Sequence, residues 1–195
     1  MKGRVDPESE AQMPWLNFEL VSFMEQQKRG VVVEFGSGRS TVWLAKLGFY
    51  VLSIEHQENW ATQVLTKLQT EGLSSRVKLS LVRADPQKPS DASLYLQPFL
   101  EYPTHDPFSF ILVDGIFRNQ CLEGSKPFVR KGTPVILHDS NRPEYRPAID
   151  GLSLMPGIFP RTIYGPGYGT PDFTWATIFS QVSEATVLGS KSLGA

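Results

Sequence analysis

The stretch Val31-Val32-Val33-Glu34-Phe35-Gly36-Ser37-Gly38-Arg39-Ser40-Thr41, continued by Val42-Trp43-Leu44-Ala45-Lys46-Leu47, decides the fold. A β-branched run of this kind reads as a buried strand, the two glycines mark a tight turn, and the segment after them is a good helix former. Strand, glycine turn and helix in that order open an α/β fold. Glycines let backbone approach a ligand with no Cβ in the way. The N–H groups at the start of the helix favour an anionic group such as a carboxylate or a phosphate. A purely structural strand-to-helix turn would carry the same Gly-x-Gly spacing.

Spacing separates the ligand classes. A dinucleotide fingerprint places Gly or Ala three residues after the second glycine, where this chain has Thr41. A P-loop needs Gly-Lys-Ser/Thr, and no Lys follows Gly38. What the chain does have is an acid two residues before the first glycine, Glu34.

At 195 residues, 41% hydrophobic and 11% aromatic, the chain suits one domain with an ample core. A net charge of −1 gives no long-range pull toward nucleic acid or anionic membrane, and neither is expected as a partner. The single cysteine, Cys121, excludes an internal disulfide framework and suits a reducing, cytoplasmic setting. The N-terminus has no apolar h-region, and no run approaches the roughly 18 apolar residues of a membrane span. Residues 1–13 read as a flexible polar segment, 14–182 as the domain and 183–195 as a loose tail. A homodimer is left open.

Along the chain, Pro14 opens an amphipathic helix (Leu16, Leu20, Phe23, Met24) that ends near Gly30. Trp15 reads as a packing anchor ahead of a residue at a substrate mouth. Strand Val31–Phe35 is followed by a helix from about Ser40 to Leu47. Phe49 to His56 is a second buried strand. Its acid, Glu55, falls about 20 residues after the glycine turn, where nucleoside-binding α/β folds use a carboxylate for the ribose hydroxyls. His56 stacks near the adenosine or caps the turn. A helix over 58–70 shows Trp60, Val64, Leu65 and Leu68 as one apolar face and reads as core.

Arg76–Val82 is a third strand, and Asp85 just past it meets an adenine or starts a turn with Pro86. Residues 86–107 are irregular, with a short helix around 91–100 and an unassigned His105. Phe108–Gly115 is a fourth strand ending in Asp114, followed by a helix over 118–129 that Pro127 should break or kink. Thr133–Leu137 is a fifth strand ending in His138-Asp139-Ser140-Asn141. Residues 140–160 read as turn-rich, with Arg142-Pro143-Glu144-Tyr145-Arg146 as a charged, aromatic patch. Two strands, 161–164 and 173–179, then form a hairpin about Gly165–Pro171. Parallel strands place Glu34, Glu55, Asp114 and Asp139 at one C-terminal edge, where ligands bind.

Val-Glu-Phe-Gly-Ser-Gly-Arg-Ser-Thr, Ser-Ile-Glu-His, Leu-Val-Asp-Gly-Ile-Phe-Arg-Asn-Gln-Cys and Leu-His-Asp-Ser-Asn-Arg-Pro-Glu-Tyr together resemble the class I S-adenosylmethionine-dependent methyltransferases, in a small bacterial-type subgroup loosely associated with glycan methylation. The resemblance spans residues 14–182. It implies a Rossmann-like, seven-stranded, mostly parallel sheet with a C-terminal antiparallel hairpin and helices on both faces. It implies S-adenosylmethionine as cofactor and methylation of a small-molecule or glycan hydroxyl. Glu34, Gly36 and Gly38, with Ser37, Ser40 and Thr41 around the turn, would hold the methionine end. Glu55 would meet the ribose, with His56 near the adenosine; Asp85 would meet the adenine, and Asp114 would face the methyl sulfonium.

Catechol-type O-methyltransferases place metal ligands where this chain has Asp114 and Asp139, with an Asn next. Here Ser140 takes that place and Asn141 is one residue late. Two carboxylates with hydroxyl or amide oxygens suit Mg²⁺ or Ca²⁺. Asp114, His138 or Asp139 is the candidate base for the acceptor proton. Arg118, Arg142 and Tyr145 are the candidate substrate contacts, the two arginines being equally readable as a network with Asp114 and Asp139. The competing readings are an NAD-binding Rossmann oxidoreductase and a cofactor-binding module without catalysis.

Overall fold

The computed structural model describes residues 13–103, 106–129, 131–168 and 173–181. The expectations for the two termini, for His105 and for the hairpin tip at 169–172 lie outside the described residues. The first helix, α1 (Phe18–Glu25), starts later and ends sooner than its apolar pattern predicts. Asn17 is its N-cap and accepts the Leu20 N–H at 2.8 Å. After it come β1 (Val31–Phe35), α2 (Arg39–Lys46), β2 (Tyr50–Glu55), α3 (Glu58–Thr70) and β3 (Val77–Leu81). The second half holds α4 (Ala92–Leu100), β4 (Phe110–Val113), α5 (Arg118–Val129), β5 (Val135–His138), α6 (Arg146–Ser153), β6 (Ile158–Pro166) and β7 (Phe173–Gln181).

The seven strands form one sheet in the order β3-β2-β1-β4-β5-β7-β6. Strands β1 to β5 pair in parallel, and β7 pairs antiparallel to both β5 and β6. The hairpin therefore folds back so that the last strand inserts beside β5. Central strands covered on both faces read as continuous apolar runs, and Val31–Phe35 and Phe110–Val113 do. One face packs Tyr95, Phe99, Cys121 and Leu122 from α4 and α5, with Ala148 and Leu152 from α6. The other packs Leu20, Met24, Trp43 and Leu44 from α1 and α2.

Three local expectations are corrected. Trp60 and Leu65 are not core: the buried face of α3 is Ala61, Val64 and Leu68, with Leu65 49% exposed. Pro127 does not break α5, because it falls in the last turn, where one lost hydrogen bond is tolerated. Residues 140–160 are not all turn. Pro147 stands in the first turn of α6, where proline starts a helix rather than ending one, and Ala148 and Leu152 bury one face.

The turn after β1 has a severe steric demand. Gly36 has φ +94°, and a Cβ there would lie 2.7 Å from the Cα of Gly115. A Cβ on Gly115 would in turn lie 2.3 Å from the Tyr95 hydroxyl. Gly48 has the same φ with nothing within 4 Å of its Cβ position. Gly48→Ala should therefore cost only backbone strain, about 1 kcal/mol, while Gly36→Ala adds a backbone clash and should cost several times more. Urea midpoints of the two variants measure the difference; equal losses would mean that β1 and β4 can move apart freely.

Candidate active site

The C-terminal edge of β1, β2 and β4 bounds a cavity of about 440 Å³, within the roughly 300–1,000 Å³ typical of small-molecule sites. Its floor is the loop Gly36–Ser40. Glu55, His56, Gln57 and Trp60 form one wall, Asp114, Gly115 and Ile116 another, and Trp15 with Arg39 the mouth.

The loop satisfies its own donors. The Gly36 N–H goes to the Ile54 carbonyl at 2.8 Å, the Ser37 N–H to Glu55 Oε2 at 2.9 Å, and the Gly38 N–H to Thr41 Oγ1 at 2.9 Å. These three donors of the glycine turn already have acceptors; the helix itself begins one residue later, at Arg39. Thr41 lies behind the loop and passes its own proton to Glu34 Oε2 at 2.5 Å, which also accepts from Ser53 at 2.9 Å. Glu34 is fully buried and lines no part of the cavity. Its role is to brace the loop from beneath, which corrects the expectation that it touches the ligand. Burial raises its pKa to about 7, against the pull of hydrogen bonds from Ser40, Thr41 and Ser53.

Glu55 reaches the cavity with its carboxylate fixed by three backbone donors, Ser37, His56 and Gln57, all at 2.8–2.9 Å. His56 Nδ1 lies 3.0 Å from Glu55 Oε1. Trp60 donates its indole N–H to the Ser37 carbonyl, so a residue read as core is a wall of the site. The signal was present: Ala61, Val64 and Leu68 alone complete the i, i+3, i+7 face and leave Trp60 off it. Asp85 does not reach the cavity. It accepts the Gln87 N–H at 2.9 Å and pairs with Lys88 at 3.5 Å, which is the turn reading.

At the ends of β4 and β5, Asp114, His138 and Asp139 bring ligand-type atoms within 4.8 Å of one another. Arg118 staples these ends together. Its Nε donates to the Gly115 carbonyl, Nη1 to the His138 carbonyl and Asp139 Oδ2, and Nη2 to the Asp114 carbonyl, over 2.7–3.4 Å. Nη2 also lies 3.1 Å from Asp114 Oδ1 as an ion pair. Arg118 thus belongs to the network reading. Arg142 holds Asp139 Oδ2 at 2.5 Å and is half-exposed. Phe117 and Asp139, the two non-glycine residues with positive φ among the described residues, flank this cluster, as strained backbone does at many functional sites.

His138 Nδ1 lies 3.0 Å from Asp114 Oδ1. Burial would lower the His138 pKa, but Asp114 and then Asp139 raise it overall. Burial would raise Asp114, but His138 and then Arg118 hold it below the usual carboxylate range. His138 Nε2 is buried with no partner among the described residues. Only Asp114 of the three lines the cavity.

These residues do not fit the divalent cation that the sequence admitted. Two arginines neutralise the two carboxylates, and His138 adds positive character. The Ser140 hydroxyl, in the third ligand position, accepts from Thr177 at 2.9 Å and serves the hairpin instead. A metal would have to displace a buried arginine that makes four hydrogen bonds.

A second cavity of about 410 Å³ shares Gly115 and Ile116 with the first. Phe117, Arg118, Asn119, Gln120, Arg142 and Tyr145 line it, with Pro86 and Pro89 from the long connection. Tyr145 also faces the Arg118 guanidinium, 5.5 Å from its ring centre.

No protein-family model matches the chain, and no curated protein matches it in sequence. Solved structures do. A candidate O-methyltransferase from Klebsiella pneumoniae superposes with TM-score 0.64 at 19% identity, over 94% of this chain and 84% of that one. The chain has the methyltransferase fold. The O-methyltransferase TomG from Streptomyces achromogenes, in complex with S-adenosylmethionine, gives 0.61 at 18% identity over 92% and 82%. An O-methyltransferase from Bacillus cereus in complex with S-adenosylhomocysteine gives 0.60 at 19% over 93% and 84%. The methyltransferase-like sheet order and the terminal hairpin expected from sequence are those observed. No helix among the described residues is long and apolar enough to cross a membrane.

Two predictions follow from these charges. Glu34 has a raised folded pKa, so its ionisation destabilises the fold as pH climbs from its unfolded value of 4.5 through about 7. Chemical denaturation should show stability falling by up to about 3 kcal/mol across that window, with a flatter slope in Glu34→Gln. Separately, Mg²⁺ should leave the melting temperature of the wild-type chain unchanged, because a ligand stabilises only what it binds. A Mg²⁺-dependent rise that Asp139→Asn removes would overturn the charge argument.

Proposed function

We propose that this chain is an S-adenosylmethionine-dependent O-methyltransferase that works without a metal ion on a hydroxyl of a small molecule or a terminal sugar. One observation carries the cofactor choice. The loop at the end of β1 has no free N–H at Gly36, Ser37 or Gly38, so a phosphate would find no donor at these three positions. A dinucleotide needs such donors for its pyrophosphate; a nucleoside bearing an amino acid does not. The likeness to methyltransferases crystallised with the sulfur nucleosides supports the same choice.

The residues present fit that cofactor. Glu55 is an ionisable acceptor held at the nucleoside wall, Trp60 and His56 supply ring surface, and the open face of Gly36 and Gly38 leaves room over the loop. Bound there, S-adenosylmethionine supplies an activated methyl on a positively charged sulfur. The chain has to align the acceptor and receive its proton. The strip Gly115–Ile116, common to both cavities, is where an acceptor in the second would meet the first. Asp114, at the same strand end, is the base. Its carboxylate stays ionised beside Arg118 and His138 and takes the acceptor proton as the methyl arrives. His138, with Nδ1 on Asp114 and Nε2 closed off, positions that carboxylate. Asp139 holds Arg142 at the rim of the second cavity and is a positioning residue too. Phe117, Ile116 and Tyr145 give the second cavity an apolar side, and Asn119, Gln120 and Arg142 a polar one.

Calorimetric titration with S-adenosylmethionine, S-adenosylhomocysteine and NAD tests the cofactor. Binding of the sulfur nucleosides with NAD silent is expected; the reverse would return the chain to the oxidoreductase reading. A screen of phenols and sugars, read as S-adenosylhomocysteine release, then tests turnover. Asp114→Asn should lower turnover by about 100-fold or more with nucleoside affinity little changed. Full turnover in that variant would remove Asp114 from the chemistry.

A further inference from the structure

Arg39 stands apart from the other arginines. Those at 29, 76, 83, 118, 142, 146 and 161 each donate to a carbonyl or a carboxylate. Among the described residues, the Arg39 guanidinium makes no hydrogen bond or ion pair. It rests on the ring of Trp15, 4.8 Å from the centroid. Trp15 is itself half-exposed, but its neighbours Pro14 and Leu16 are buried, and the Leu16 carbonyl accepts the Tyr168 N–H at 3.1 Å. The backbone that carries the indole is thus anchored at the mouth of the 440 Å³ cavity, where the ring meets the guanidinium. Stacking on an aromatic ring leaves the in-plane donors of an arginine available.

The cavity has a sign pattern. Glu55 and Asp114 are its acids, and apart from His56, Arg39 is its one cationic side chain. The loop N–H groups at Ser37 and Gly38, which would otherwise receive a carboxylate, are occupied. A ligand with a cationic centre, ribose hydroxyls and a carboxylate matches this pattern at each point. We propose that Arg39, preorganised on Trp15, is the carboxylate clamp of the site: it binds the amino-acid carboxylate of the sulfur nucleoside and lets the chain reject nucleosides that lack one. This rests on the cofactor reading above and adds the residue that selects for the amino-acid part.

The probes are S-adenosylhomocysteine and 5′-methylthioadenosine, a thioether nucleoside of the same kind without the amino acid. Calorimetry on the full chain should show wild type preferring S-adenosylhomocysteine. Arg39→Ala should weaken that nucleoside by about tenfold or more, the scale of a lost charged hydrogen bond, and leave 5′-methylthioadenosine unchanged. Arg39→Lys should recover part of the loss, and Trp15→Ala should weaken S-adenosylhomocysteine by a smaller factor. Equal weakening of both nucleosides by Arg39→Ala would assign Arg39 to cavity shape and overturn the clamp. So would an unchanged affinity, or a wild type that binds both alike, while the cofactor reading stood. A wild type that binds neither nucleoside would sink the cofactor reading, and the clamp with it.

Discussion

The backbones of Gly36 and Gly115 pass so close that neither position tolerates a side chain. This contact sets the separation of the β1 and β4 ends, and the rest of the site is hung from it. Asp114 and Gly36 reach the same cavity because the Asp114 N–H is bonded to the Phe35 carbonyl at 2.9 Å. Tyr95, fully buried, closes the back of the contact and donates to the Ile54 carbonyl at 3.0 Å. Three strand ends are thereby locked to one another before any ligand enters. Preorganisation of this kind removes ordering costs that binding would otherwise carry.

Buried charge is then handled in two ways. Beneath the loop, Glu34 is tied to Thr41 and Ser53, and its Oε1 lacks a partner among the described residues. Desolvation wins there, and the pKa rises. At the ends of β4 and β5 the acids are instead matched by guanidinium groups, and Asp114 stays ionised. Breaking such a cluster leaves an unpaired buried charge, which is costly. The same cluster leaves no net negative charge to attract a divalent cation. A carboxylate that is ionised, partly open to the cavity and supported by an imidazole is what a metal-free methyl transfer asks of this position.

The fold was legible where one periodicity dominated. Val31–Phe35, Glu58–Thr70 and Arg118–Val129 have the boundaries that their apolar spacing predicts. Helix α6 lies in a stretch read as turn-rich, yet Pro147 stands in its first turn and Gly151 faces Glu123 and Lys126 of α5. Which acids gather at one edge was legible from strand order alone, as Glu55 and Asp114 on one cavity show. What each acid touches was not. Glu34 is buried beneath the loop and does not line the cavity, and a one-letter pattern carries no sign of Arg118 bonding to both strand ends. Trp60 and Arg39 were missed for a related reason. Each lies beside a strong signal, an apolar helix face in one case and a glycine turn in the other, and was absorbed into it.

The glycine turn spends its own donors within the chain. Ser37 and Gly38 give their N–H groups to side chains of this chain, so a bound phosphate would have to break bonds to Glu55 and Thr41 to gain new ones. An uncharged or cationic ligand segment faces no such exchange and can lie against the glycines by van der Waals contact. Thr41 stands where a dinucleotide fingerprint would have Gly or Ala, and it is the residue that consumes the Gly38 donor and transmits the contact to Glu34. The one departure from the dinucleotide pattern thus has a physical consequence: a side chain that takes up the Gly38 donor from within.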